Sequence, residues 1–221
     1  MATQLILASA SPRRKELLEK IGFSVKIIPA EVEEARLPDE PPPEFVKRMS
    51  RAKVLSVVQR LLSTLSVSPA EGAPAIPVSP VAGMREPPGR WVVGADTIVV
   101  LDNELLGKPK DADQAFDMLQ RLAGREHTVV TGFCVFDMLK NKEGIQAVVS
   151  RVKLKPMSRT EIERYLSVGE SLDKAGAYAV QGVGAYLIDS IQGSYSNVVG
   201  LPLCQLMEMF EEMGAHDILP Y

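Results

Sequence analysis

Apolar residues recur along this chain in two rhythms. Short runs predict strands at Gln4–Ala8, Phe23–Ile28, His127–Met138 and Ala147–Lys155; the third is apolar enough to be buried, and the fourth alternates with one wet face. Spacings of three and four predict helices at Lys15–Ile21, Glu44–Leu62, Asp111–Ala123, Ser158–Leu166 and Leu203–Met213. In the second of these, Phe45, Met49, Ala52, Leu55 and Val58 share a face, with Lys47, Arg48, Arg51 and Lys53 between them. Ser11 is suited to cap the first helix with Pro12 at its first position, and Gly22 and Gly124 stop the helices before them. Towards the end, Tyr186–Ile191 and Val198–Pro202 predict a last strand and the entry to the closing helix, with residues 193–197 a loop between them.

One stretch breaks the simple pattern. Trp91–Val93 and Ile98–Leu101 are both strand-like, and Gly94-Ala95-Asp96-Thr97 lies between them, with a turn at Asp102-Asn103 beyond. A carboxylate set between two apolar runs is costly to bury without a partner. Asp96 therefore sits either in a solvated turn or in a cleft, facing a metal or a cation. Residues 63–90 break the pattern in another way, with many prolines and no aromatic residue, and predict an inserted loop. The helix before it and the strand after it are each too little to fold alone, so no domain boundary is placed there, and the expectation is one domain over residues 1–221.

Length and composition narrow the class. A chain of 221 residues, 46% hydrophobic and 24% charged, is long enough to bury a core. Its net charge of -3 argues against non-specific binding to nucleic acid or to a membrane surface, which calls for a basic face. The two cysteines, Cys134 and Cys204, sit in apolar runs with no zinc spacing, and no long apolar segment or signal-like N-terminus is present; a reducing, cytoplasmic setting is expected.

Candidate chemistry gathers at four places. Ser9-Ala10-Ser11-Pro12-Arg13-Arg14 joins a strand to a helix start, an arrangement that points backbone N–H groups at an anion. Arginine in a first turn opposes the helix dipole, so Arg13 and Arg14 are either solvated charges or a phosphate clamp. Glu31-Val32-Glu33-Glu34 is an acidic turn, either a solvated surface or a ligand for a divalent cation. Residues 169–184 are rich in Gly and Ala, which allow close backbone approach, and carry Asp173, Lys174, Tyr178 and Gln181. With two histidines, His127 and His216, and no Ser-His-Asp ordering, a triad hydrolase is not expected.

Five motifs in a fixed order, SASPRR at Ser9–Arg14, GADTIV at Gly94–Val99, GKP at Gly107–Pro109, LDKAGAYAVQG at Leu172–Gly182 and GSYSNVVGLPL at Gly193–Leu203, resemble the Maf family of nucleotide pyrophosphatases. The resemblance implies an α/β fold with a curved mixed sheet, flanking helices and a deep cleft between two lobes, similar to the inosine triphosphate pyrophosphatase architecture. It implies metal-dependent hydrolysis of a nucleoside triphosphate to the monophosphate and pyrophosphate. Arg13, Thr97 and Gln181 stand where the dTTP- and UTP-cleaving branch carries specificity residues. On this reading Asp96 is the general base or a metal ligand, and Glu34 helps hold Mg²⁺ or Mn²⁺, with Glu33 its rival. Arg13, Arg14, Lys53, Lys108 and Lys174 meet the phosphates, Ser9 and Ser11 donate to them, and Thr97 and Gln181 read the pyrimidine. The inserted loop is a departure from the compact pattern. A homodimer is a plausible assembly, and a nucleotide-binding regulator of growth or division, without turnover, is the alternative.

Overall fold

The computed structural model describes residues 4–65, 89–216, 218 and 219. A seven-stranded mixed sheet runs in the order β2-β1-β3-β5-β6-β7, with β4 pairing β3 off this path. The strands are β1 (Leu5–Leu7), β2 (Val25–Ile27), β3 (Trp91–Leu101), β4 (Glu104–Leu106), β5 (Glu126–Asp137), β6 (Lys142–Leu154) and β7 (Ile188–Gln192). The β1–β2 and β1–β3 ladders are parallel and the others antiparallel. The helices are α1 (Pro12–Lys20), α2 (Pro42–Leu65), α3 (Ala112–Leu122), α4 (Arg159–Ser167), α5 (Tyr195–Val199) and α6 (Leu203–Glu212). Among the described residues no helix is long and apolar enough to cross a membrane.

The period of two in β3 assigns the layers. Val92, Gly94, Asp96 and Ile98 face α2, and Val92 and Ile98 pack with Val54, Val57, Phe45 and Met49 of that helix. Trp91, Val93 and Ala95 face the other way, into a core shared with Leu17 and Leu18 of α1 and Leu206 and Phe210 of α6. Val99 and Leu101, further along that second face, enter a separate core with Ala115, Met118, Leu119 and Leu122 of α3 and Ile162 and Tyr165 of α4. The two cores form two lobes, and they part at Thr97.

Helix α2 lies unusually close to the sheet. A Cβ on Gly94 would stand 2.8 Å from the Ser50 carbonyl oxygen, and one on Gly132 would stand 2.4 Å from the Val46 backbone. Gly132 pairs directly with Asp96 across β3 and β5. Absence of side chains at these positions is what seats α2 over the carboxylate.

Several local expectations change. The Gly94–Thr97 stretch is not a turn: β3 is continuous through it, because β5 pairs with it from Trp91 to Val100. Helix α2 continues to Leu65, so residues 63–65 are helical rather than loop, and residues 66–88 of the expected insertion lie outside the described residues. Strand β6 starts at Lys142, earlier than the alternation alone indicates, since β5 offers a partner that far. The Asp102-Asn103 turn has positive φ at both residues, 51° and 65°, as a tight hairpin requires, and leads into the unexpected short strand β4. Residues 195–199, read as loop and as the entry to the closing helix, form a separate short helix, α5, capped by the Ser194 hydroxyl accepting from the Asn197 N–H at 3.2 Å.

Candidate active site

A gap in one sheet edge makes the cleft. β1 pairs with β3 only at Val92 and Val93, and β4 pairs with it only from Val99 onward. The β3 edge over residues 94–98 is thus left without a ladder partner on that side. A cavity of about 720 Å³ wraps around it. Asp96 reaches it from the α2 face and Thr97 from the opposite face.

The cleft gathers charges that lie far apart in the chain. Lys53, carried on α2, places Nζ 2.6 Å from Asp96 Oδ1 and 2.6 Å from Glu34 Oε1. Asp96 and Lys53 are both buried, whereas the Glu34 side chain is 54% exposed. Burial pushes the Glu34 carboxyl up, but the Lys53 hydrogen bond and the charges of Lys53, Lys108 and Arg14 outweigh it and hold the group below its ordinary value. Glu33 is exposed and does not line the cavity, so Glu34 is the carboxylate of the acidic turn that shares Lys53 with Asp96. The loop bearing it is tied to α2 at several points: Arg60 donates to the Pro29 carbonyl, and Arg48 donates to the Ala35 carbonyl and to both oxygens of Glu40.

Arg14 is the most tightly held cation. Its Nε donates to the Gly200 carbonyl at 2.8 Å, one terminal nitrogen to Ser9 Oγ at 3.0 Å and the other to Thr97 Oγ at 3.0 Å. Gly200 has φ of 128°, a conformation that favours glycine and aims its carbonyl at Arg14. Burial lowers the Arg14 guanidinium from its ordinary value, and Asp96 opposes the shift; an arginine stays charged nonetheless. Arg13 reaches Asp173 at 3.3 Å, and Lys174 reaches the same carboxylate at 2.6 Å while also donating to the Glu170 carbonyl. Ser11 and Lys108 complete this part of the wall.

Ser9, Ser11, Arg13, Arg14, Glu34, Lys53, Asp96, Thr97, Lys108 and Lys174 therefore line one cavity. Gln181 does not; it is half-buried beside the wall, which is formed there by Ala179 and Val180. Thr131 and Asn197 are structural members of the site that the pattern did not single out, whereas Asp173 stands out beside Lys174 in the glycine-rich run. Thr131 gave no signal, being a single hydroxyl residue between Val130 and Gly132, and Asn197 gave none beyond its place at the end of a polar loop.

Counting the wall, Arg13, Arg14, Arg36, Lys53, Lys108 and Lys174 stand against Glu34, Asp96 and Asp173. Six cations and three carboxylates leave the cleft positive in a chain whose net charge is -3. Such a site suits a small polyanion. It also suits a hard cation: two carboxylates converge on one point, now the Lys53 ammonium, and a divalent ion would take its remaining ligands from water and phosphate. Among the described residues no group of three His, Cys, Asp or Glu could hold a metal without such help.

A family profile described as Maf-like protein matches residues 4–213. The chain belongs to the Maf family. Among its Maf relatives, a dTTP/UTP pyrophosphatase of Geotalea uraniireducens is 42% identical over 215 residues, 96% of each chain. One of the same name from Clostridioides difficile is 42% identical over 208 residues, 94% of each chain. Another, from Syntrophotalea carbinolica, is 41% identical over 211 residues, 96% of this chain and 85% of its own length. A solved structure, protein VC0702 of Vibrio cholerae, aligns over 96% of this chain at 11% identity with a TM-score of 0.39, too weak a likeness to argue from.

Proposed function

We propose that the protein hydrolyses dTTP and UTP, and modified pyrimidine nucleotides of the same shape, to the monophosphate and pyrophosphate. The observation that carries this reading is the buried Asp96–Lys53 pair facing Glu34 in a cleft with an excess of cations. The relatives at about 40% identity bear the dTTP/UTP pyrophosphatase name over nearly all of this chain, which supports the choice of substrate. Residues 1–221 are taken as one catalytic domain that accommodates the insertion.

Each group has a role that its placement supports. Asp96 accepts the proton of the attacking water, and the Lys53 hydrogen bond orients that carboxylate. Arg14, Arg13, Lys108 and Lys174 meet the phosphate chain, where charge builds on the leaving pyrophosphate. Asp96 and Glu34 would hold Mg²⁺ or Mn²⁺, which neutralises phosphate charge and lowers the pKa of water when bound. Val180 brings the Gln181 backbone to the edge of the cleft, so a role for the Gln181 amide in reading the pyrimidine depends on that segment closing over the base.

A panel of nucleoside triphosphates incubated with Mg²⁺ tests the proposal. Release of UMP and dTMP with pyrophosphate, well ahead of the CTP and purine reactions, is the expected result. Binding of the same nucleotides without turnover above an Asp96→Asn control would reduce the protein to a nucleotide-binding regulator.

A further inference from the structure

Thr97 stands in the cleft wall and would seem free to donate to a substrate. Its hydrogen bonds dictate otherwise. Thr131 Oγ lies 3.0 Å from the Asn197 carbonyl, which can only accept, so the single Thr131 hydroxyl proton goes there. Thr131 then offers only lone pairs to Thr97 Oγ at 2.9 Å, and Thr97 must be the donor. That commits the one Thr97 proton, and one of the two Thr97 lone pairs takes the Arg14 N–H at 3.0 Å. The Gly200 carbonyl, 3.4 Å from Thr97 Oγ, is a longer alternative for the same proton. The direction of every link, from Arg14 through Thr97 and Thr131 to Asn197, is set by the acceptor at the far end.

That far end is rigid. Thr131 and Asn197 are both 0% exposed, and Thr131 pairs directly with Thr97 across β3 and β5. The Asn197 amide donates to the Val129 carbonyl at 3.2 Å and to Ser150 Oγ at 2.9 Å. With Gly200 and Ser9 taking two other N–H groups, three of the five guanidinium donors are engaged and two remain for oxygen atoms in the cleft. Aligned hydrogen bonds of this kind strengthen one another where water is excluded.

We propose that Thr131 is a positioning residue for this site. It turns the Thr97 hydroxyl so that it accepts from Arg14, and the guanidinium is thereby delivered to the phosphate chain in one orientation. Thr97 acts on the phosphate chain through Arg14, its one proton being given to Thr131. The inference rests on the phosphate-binding reading of the cleft but not on turnover.

Inorganic tripolyphosphate, which has no base, reads the Arg14 contact alone. Its affinity is measured by calorimetry in buffer free of divalent cations. Thr131→Val is expected to weaken binding about 10-fold, the usual consequence of misplacing one charge-assisted hydrogen bond. Thr97→Val should weaken it by a similar factor, and Thr131→Ser, which keeps the hydroxyl, should restore it to within about 2-fold of the unsubstituted protein. In an Arg14→Ala background Thr131→Val should add no further loss, the signature of action through Arg14. For turnover, kcat/KM should fall by one common factor for UTP, dTTP and CTP. Unchanged tripolyphosphate affinity in Thr131→Val, an equal loss in the Arg14→Ala background, or a loss confined to uracil and thymine nucleotides would each overturn the proposal. If thermal melting shows that Thr131→Val does not fold, Thr97→Val takes its place in the same cycle with the same criteria. Intact tripolyphosphate binding without nucleotide turnover would remove the enzymatic reading and leave this inference standing.

Discussion

Replacing Gly132 by alanine perturbs the site through the fold, because Gly132 has no side chain and meets Asp96 as its backbone partner across β3 and β5. The added Cβ would stand 2.4 Å from the Val46 carbonyl carbon and oxygen and 2.7 Å from the Lys47 nitrogen. These are backbone atoms within a helix and cannot rotate aside. Ordinary contact begins near 3.4 Å, so α2 must lift by about 1 Å. Lys53 is carried on the same helix and sits 2.6 Å from Asp96. A lift of that size takes the pair out of hydrogen-bonding range. Overpacking of this kind costs about 1–3 kcal/mol before the weakened ion pair is counted. Urea denaturation should therefore show a loss of about 2–3 kcal/mol, and nucleotide hydrolysis should fall at least about 10-fold as the base loses its partner. Gly107→Ala, where a Cβ meets nothing within 4 Å, serves as the stability control. Full stability and full activity in Gly132→Ala would refute the claim that the seating of α2 on the sheet builds the site.

Other consequences follow from single groups. His127 is buried with Nε2 2.7 Å from the Tyr178 hydroxyl and Nδ1 without a partner among the described residues, and burial depresses its pKa from 6.5 to about 4. A group depressed in the fold stabilises above its unfolded pKa, and that stability is lost as pH falls from 6.5 towards 4; at about 1.4 kcal/mol per unit the loss is about 3 kcal/mol. Subtracting the stability–pH curve of His127→Phe from that of the unsubstituted protein should expose this drop, and parallel curves would contradict it. Arg48 fastens the loop that carries Glu34, and its hydrogen bonds hold Glu40 at a pKa of about 2. Arg48→Ala should raise the Mg²⁺ concentration needed for half-maximal activity about 10-fold, as measured by metal titration. An unaltered Mg²⁺ requirement would show that the loop holds Glu34 without this clasp.

The parts of the fold legible in the sequence are those where local pattern and tertiary demand agree. Helix α3 has Ala115, Met118, Leu119 and Leu122 on one face, all buried, and Asp111 caps it by accepting from the Gln114 N–H at 2.8 Å. Asp96 announced itself as a carboxylate between apolar runs, but its setting was invisible, because the choice between turn and strand is made by β5, more than thirty residues away. Residues 195–197 misled because a run of Gly, Ser and Asn favours a loop; the buried Asn197 and the Ser194 cap impose a short helix there instead. Of the two arginines, adjacent and chemically alike, Arg14 is gripped by Gly200, Ser9 and Thr97, while Arg13 meets Asp173. That difference comes from the direction each side chain takes off α1 and from a carbonyl 186 residues further on. Glu34 and Glu33 were likewise equivalent until α2 placed Lys53 beside one of them.

The most direct test of the central claim is the product balance with UTP and Mg²⁺ for the unsubstituted protein and for Asp96→Asn, with UTP affinity measured alongside. Equal amounts of UMP and pyrophosphate are expected, with turnover lowered by about 10²–10⁴-fold in Asp96→Asn and binding nearly preserved. Release of orthophosphate and UDP, or undiminished turnover in Asp96→Asn, would contradict the assignment of Asp96 as the base in cleavage between the α- and β-phosphates.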